Sequence, residues 1–163
     1  MANITIAVLS VSALLFVSAS ASPADAGSLT RKMDVAASAD VVWSQIGGFC
    51  KIKDWHPLVG VCVTDGKKRP TRTLVTKDGK VSFVEMEMAR DDASYVYSYN
   101  FVASPLPTTK YLGTIRVSAK GPNASVIVWH GEYTAEPGKD KDVEAALANV
   151  YDTGLAALKA RFK

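Results

Sequence analysis

The chain has little with which to hold a metal. Two histidines and two cysteines occur among 163 residues, and their scattered spacing fits no zinc site. A serine elbow, a glycine-rich phosphate loop, a Cys-His nucleophile pair and a His-Glu-x-x-His pattern are all missing, which removes the common motif-bearing hydrolases and nucleotide enzymes. Basic residues are dispersed, and no basic stripe interleaves with aromatics, so nucleic acid is not an expected partner. Internal repeats and low-complexity segments are also absent, and no cofactor motif stands out. Asp91 and Asp92 are adjacent, so on a strand they point apart and at a turn they are solvated; they do not make a catalytic carboxylate pair.

What is present describes one domain. Composition is 48% hydrophobic and 21% charged with a net charge of +3, which suits a folded globular chain rather than a disordered one. Ile4 to Val17 is an apolar run followed by small residues, and Ala24-Asp25-Ala26 is an Ala-x-Ala cleavage pattern, with Ala19-Ser20-Ala21 a second option. Residues 1–26 therefore predict a secretory signal, although Met1-Ala2-Asn3 supplies no Lys or Arg. The run is short for a membrane span. The expectation is a periplasmic or secreted domain over 27–163, without a membrane span after cleavage. Export would permit a disulfide between Cys50 and Cys62; the alternative is that Cys62 is a small apolar strand residue.

The segment from Trp43 to Pro57 organises the rest. Ser38 is a good N-cap, and Asp40 sits in the first turn where the helix dipole favours an acid. A helix over about 39–46 is predicted to stop at Gly47-Gly48, because glycine reaches left-handed dihedrals easily. Pro57 disfavours helix at His56 and sets where a strand begins. Alternating patterns predict strands at 29–35, 58–64, 70–76, 80–89, 94–103, 109–119 and 125–134. Asp78-Gly79 marks a hairpin. From about Lys141 to Phe162 the period becomes helical, with Val143, Leu147, Val150, Gly154 and Leu158 on one face. The order is α+β: a curved antiparallel sheet of about seven strands, two short helices after the first strand, and a long C-terminal helix to cover the sheet. Gly154 in mid-helix costs about 1 kcal/mol against alanine and so predicts close approach by a side chain or a ligand.

Trp43-x-x-Ile46-Gly47-x-Phe49 followed by Trp55-His56-Pro57 carries a resemblance, together with Arg72-Thr73-Leu74, Asp78-Gly79, Glu85, Asp91-Asp92-Ala93, Tyr97-Ser98-Tyr99, Pro105-Leu106-Pro107 and Tyr111. With order and spacing kept, this set resembles the polyketide cyclase/dehydrase and lipid-transport type of the SRPBCC superfamily, which has the helix-grip (START-like) fold. The resemblance covers about Leu29 to Phe162 and implies a cavity for a small hydrophobic or amphipathic ligand. A more distant likeness is to the plant abscisic-acid receptors. It sets His56 where those receptors carry a lysine for the ligand carboxylate, Glu85 and Tyr111 on pocket residues, Trp129 on a second pocket acid, and Pro105-Leu106-Pro107 on the latch loop. Histidine for lysine and tryptophan for an acid argue against carrying over that ligand, and the tight Asp78-Gly79 turn against a closing lid.

The candidate ligand-binding residues are His56, Glu85, Tyr97, Tyr99, Tyr111, Trp129, Val150 and Gly154. His56 can meet a ligand head group or carry a proton, or merely cap the turn before Pro57. Glu85, if it points inward with Phe83, is a buried acid that needs a partner such as His56 or Tyr111; with the opposite parity Met86 and Met88 face in. Tyr95, Tyr97, Tyr99 and Phe101 share one face, either as an aromatic core or as a cavity wall with phenol handles. Trp129 is expected inward and His130 outward. The leading expectation is a monomeric exported binding protein. The alternatives are an accessory protein contacting a periplasmic redox enzyme, and a cyclase or dehydratase with His56 and Glu85 as acid–base partners and no cofactor.

Overall fold

The computed structural model describes residues 26–163. The apolar run from Ile4 to Val17 and the export signal it suggests lie outside the described residues, except that Ala26 opens the first strand. In chain order the elements are β1 (Ala26–Val35), α1 (Ala39–Ile46), α2 (Ile52–Trp55), β2 (Val59–Thr64), β3 (Thr71–Thr76), β4 (Ser82–Asp91), β5 (Val96–Ala103), β6 (Thr108–Gly121), β7 (Ala124–Ala135) and α3 (Asp140–Arg161). The seven strands form one sheet in the order β1-β7-β6-β5-β4-β3-β2, with every pair antiparallel. α3 packs against β1, β7 and α2. This is the α+β order that the sequence pattern predicts, in the helix-grip arrangement that the resemblance implies.

Local chemistry sets the boundaries. Ser38 caps α1 by accepting from the Val41 N–H, and Asp40 lies in the first turn. The hairpin at Asp78-Gly79 closes with Gly79 at φ +72°, a region glycine enters without penalty. Gly47 corrects an expectation: it has φ −67° and ordinary right-handed geometry. Its need for glycine is space, because a Cβ there would stand 2.5 Å from the Trp43 ring. The Trp43 indole N–H donates to Asp92 at 3.0 Å, and Arg90 reaches Glu87, Asp92 and the Gly47 carbonyl. Together these tie the end of α1 to β4, so Asp92 is engaged rather than merely solvated. Cys50 and Cys62 are joined in a disulfide that fixes the α1–α2 loop to β2.

Register decides which side chains look inward. Arg72 of β3 lies directly across from Glu85 of β4. Glu85 and Glu87 are buried, while Met88 is exposed, so β4 presents its acids to the inside. Gly113 of β6 faces Gly131 of β7. On β7, Ile127, Trp129 and Tyr133 are buried, and His130 turns outward to Thr30 and Glu132. On α3 the buried face is Val143, Leu147, Tyr151, Gly154, Leu155 and Leu158. Tyr151 therefore holds the central inward place, with Val150 beside it at the margin.

Candidate functional site

The concave face of the sheet and α3 fail to meet over one region, leaving a cavity of about 90 Å³. Its walls are apolar for the most part, from Leu74 and Phe83 through Phe101 to Leu147 and Val150. The polar-capable groups are His56, Glu85, Tyr99, Tyr111, Trp129 and Tyr151. The volume is well below the ~300–1,000 Å³ of ordinary ligand sites. Leu58 is 38% exposed, and Leu106 and Val150 are only partly buried, so this part of the wall can yield outward without breaking the core.

Three phenols form the floor. The Tyr111 and Tyr151 hydroxyls are 2.6 Å apart and those of Tyr99 and Tyr111 3.3 Å apart, and the Trp129 indole N–H donates to the Tyr99 oxygen at 2.9 Å. Trp129 stacks on Tyr151 with centroids 4.4 Å apart, and Phe101 stacks on Tyr111 at 3.9 Å. The facing glycines make room for this. A Cβ at Gly113 would stand 2.5 Å from the Tyr99 ring, and one at Gly131 would stand 2.3 Å from the Tyr151 hydroxyl. Burial, then the neighbouring phenols, pushes Tyr99 and Tyr111 well above the ordinary tyrosine range, and burial raises Tyr151 as well. All three are protonated phenols at neutral pH.

Glu85 is buried beside the phenols, and its partner is neither His56 nor Tyr111. Arg72, wholly buried, donates from Nε to Glu85 Oε2 at 2.6 Å and holds Nη2 at 2.6 Å from the same oxygen. Arg72 also donates to the Phe49 carbonyl and lies over the Phe49 ring at 4.0 Å and the Tyr99 ring at 5.1 Å. Burial alone would lower the arginine, but Glu85 and the phenols of Tyr97 and Tyr99 outweigh it and raise it further. Burial, the largest influence, raises the Glu85 carboxyl above its ordinary value, and the charge and hydrogen bond of the Arg72 guanidinium oppose that rise. The cross-strand register explains the pairing: it puts the two side chains on one face, in contact, where a buried charge needs an opposite one.

His56 reaches the cavity with both nitrogens already engaged. Nε2 lies 3.0 Å from the Val150 carbonyl, and Nδ1 accepts from the Leu58 N–H at 3.2 Å. That pattern places the proton on Nε2, which donates, and leaves the ring neutral. Burial lowers its pKa below 6.5; the Val150 carbonyl opposes this, while the charges of Arg72 and Lys77 add to it. His56 thus ties the start of β2 to α3. It does not hydrogen-bond Glu85, so the two do not form an acid–base pair.

Of the residues expected at the site, His56, Glu85, Tyr99, Tyr111, Trp129 and Val150 line the cavity. Tyr97 and Gly154 do not. Tyr97 is buried farther along β5 between Trp43, Phe49 and Arg90, because the packing of α1 fills that end of the sheet. Gly154 lies under the His56 ring: a Cβ would meet its Cδ2 at 2.7 Å and Trp129 at 3.0 Å. The close approach it predicts is thus made by side chains. The sequence reading missed Arg72, Tyr151 and the Gly113–Gly131 pair. Tyr151 was open to detection by helical spacing from Leu147 and Leu158; Arg72 needed the register. Among the described residues, no group of three metal-ligating side chains comes together, and no helix is long and apolar enough to cross a membrane.

The family model described as polyketide cyclase/dehydrase and lipid transport matches residues 26–163. The solved structure of the protein XoxI from Bacillus cereus is 30% identical over 83% of this chain and 94% of that one, with a TM-score of 0.78. The Zhui aromatase/cyclase from a Streptomyces is 16% identical, covering 83% and 90% of the two chains with a TM-score of 0.66. A norcoclaurine synthase from Thalictrum flavum, in complex with a transition-state analogue, is 22% identical over 86% and 99%, with a TM-score of 0.63. These last two share the fold with this chain. No curated protein matches it.

Proposed function

Given that the chain belongs to the polyketide cyclase/dehydrase and lipid-transport family, we propose that it is an exported binding protein for a small, mainly apolar molecule held between the sheet and α3. The observation that carries this reading is the cavity of about 90 Å³, which a core built only for stability would fill. Export is supported by the leader-like residues 4–17 and by the Cys50–Cys62 disulfide, since disulfides persist chiefly in oxidising compartments. Binding is favoured over acid–base turnover because His56 is held by backbone groups and Glu85 by Arg72.

The experiment is stabilisation by a ring-sized probe, with native mass spectrometry of the purified protein beside it. Engineered apolar cavities of ~150 Å³ take up benzene; here Leu58, Leu106 or Val150 must shift slightly to admit it. Benzene at a hundred times its dissociation constant should raise unfolding free energy by about 2.7 kcal/mol. A protein with no captured molecule and no stabilisation by benzene would refute the reading.

A further inference from the structure

The polar groups around the cavity do not balance among themselves, and the imbalance specifies a ligand. Four donors meet on the floor: the Trp129 indole N–H and the hydroxyls of Tyr99, Tyr111 and Tyr151. They share three hydrogen bonds. Each bond consumes one hydrogen, so one phenol O–H is left without an acceptor among the described residues. All three tyrosines line the cavity, where a ligand can receive that hydrogen.

The acceptor side shows the converse. Glu85 Oε2 takes both contacts from Arg72, and no hydrogen bond from the described residues reaches Oε1. Glu85 lines the same cavity, and its Oε1 is not among the fully buried polar atoms that lack partners. It is therefore the carboxylate oxygen left for a ligand that donates. Charge adds a third condition. Arg72 is neutralised by Glu85, and His56 is neutral with both nitrogens engaged, so among the described residues no free cation lines the cavity to receive an anion.

Resting on the proposed binding function, we infer that the ligand is a small uncharged hydroxyl compound, whose O–H donates to Glu85 Oε1 while its oxygen accepts from the spare tyrosine hydroxyl. A hydroxyl group carries both functions that the cavity lacks, one hydrogen to donate and lone pairs to accept. A hydrocarbon leaves both unmet, and burying an unpaired polar group is unfavourable. A carboxylate satisfies the phenol but sets its charge against Glu85.

Three probes of similar ring size separate these cases on the wild-type protein: phenol, toluene and benzoate, titrated by calorimetry at neutral pH. Hydrogen bonds to a charged group and to a phenol together predict that phenol binds about tenfold or more tighter than toluene. Benzoate should bind at least about a hundredfold more weakly than phenol. Toluene binding as tightly as phenol, or benzoate rivalling it, overturns the inference and leaves the binding function standing. Failure of all three to bind overturns the binding function itself. A second arm replaces the ion pair as a unit, Arg72→Leu with Glu85→Leu, so that no charge is orphaned. If that variant folds, the phenol-to-toluene affinity ratio should collapse towards one; a retained ratio overturns the role of Glu85, and the wild-type series decides if it does not fold.

Discussion

Replacing Gly154 with alanine sets two effects of opposite sign against each other. Alanine favours the helix by about 1 kcal/mol over glycine, and on an open face of α3 the substitution would stabilise. Here the added Cβ would stand 2.7 Å from His56 Cδ2, 3.0 Å from its Nε2 and 3.0 Å from Trp129 Cζ3. Neither ring can swing away freely. His56 is held by the Val150 carbonyl and the Leu58 N–H, and Trp129 is stacked on Tyr151 and bonded to Tyr99. Overpacking of this kind costs about 1–3 kcal/mol, and loss of the His56–Val150 bond adds about 1 kcal/mol. After the helix gain, Gly154→Ala should destabilise by about 1–3 kcal/mol. Urea unfolding followed by tryptophan fluorescence reads this as a lower midpoint at unchanged slope. A midpoint equal to or above wild type would show that His56 is not pinned against α3 as described.

Three further outcomes follow from the same geometry. Arg72→Leu alone should cost about 3–5 kcal/mol by stranding Glu85, whereas the double change with Glu85→Leu should recover at least about 2 kcal/mol of that in denaturant unfolding; equal losses in the two variants would contradict the pairing. The folded-state pKa of His56 is depressed, so the unfolded chain binds the extra proton as pH falls below 6.5. The stability that this histidine contributes is present above that value and is lost as pH falls through its folded-state pKa. His56→Gln should flatten that part of the stability–pH curve, and an unchanged curve would sink the argument. Reducing Cys50–Cys62, which closes a loop of 12 residues in sequence separation, should lower the unfolding free energy by about 3 kcal/mol. Parallel melts with and without dithiothreitol measure it, and coincident melts would count against a structural role.

Most of the fold was legible because its signals are local. Alternation and the turn residues between runs marked the strands, Ser38 and Asp40 marked the start of α1, and the Asp78-Gly79 turn set the β3–β4 hairpin. The parity of Trp129 and His130 followed from one strand alone. The site was less legible because it is assembled across strands. Arg72 lies between Thr71 and Thr73 in a stretch that resembles an ordinary half-exposed strand, and only the β3–β4 register brings it against Glu85. Gly113 and Gly131 are unremarkable singly; their alignment on adjacent strands makes the hollow that the tyrosines occupy. Val150 and Tyr151 differ by one position on α3, and packing against Trp129 decides that Tyr151 is the fully buried one. Tyr97 belongs to the same face as Tyr99, yet α1 covers it. Face periodicity places a side chain inside without saying whether core or cavity receives it.

The most direct test of the central claim is whether a small molecule enters the space between sheet and helix. Nuclear Overhauser contacts between bound phenol and the protein measure this by location as well as affinity. The account predicts saturable contacts from phenol protons to the Leu147 and Val150 methyls and to the Trp129 ring, which line the cavity. Contacts confined to exposed valines such as Val61 and Val63, or none at any concentration short of denaturation, would contradict it.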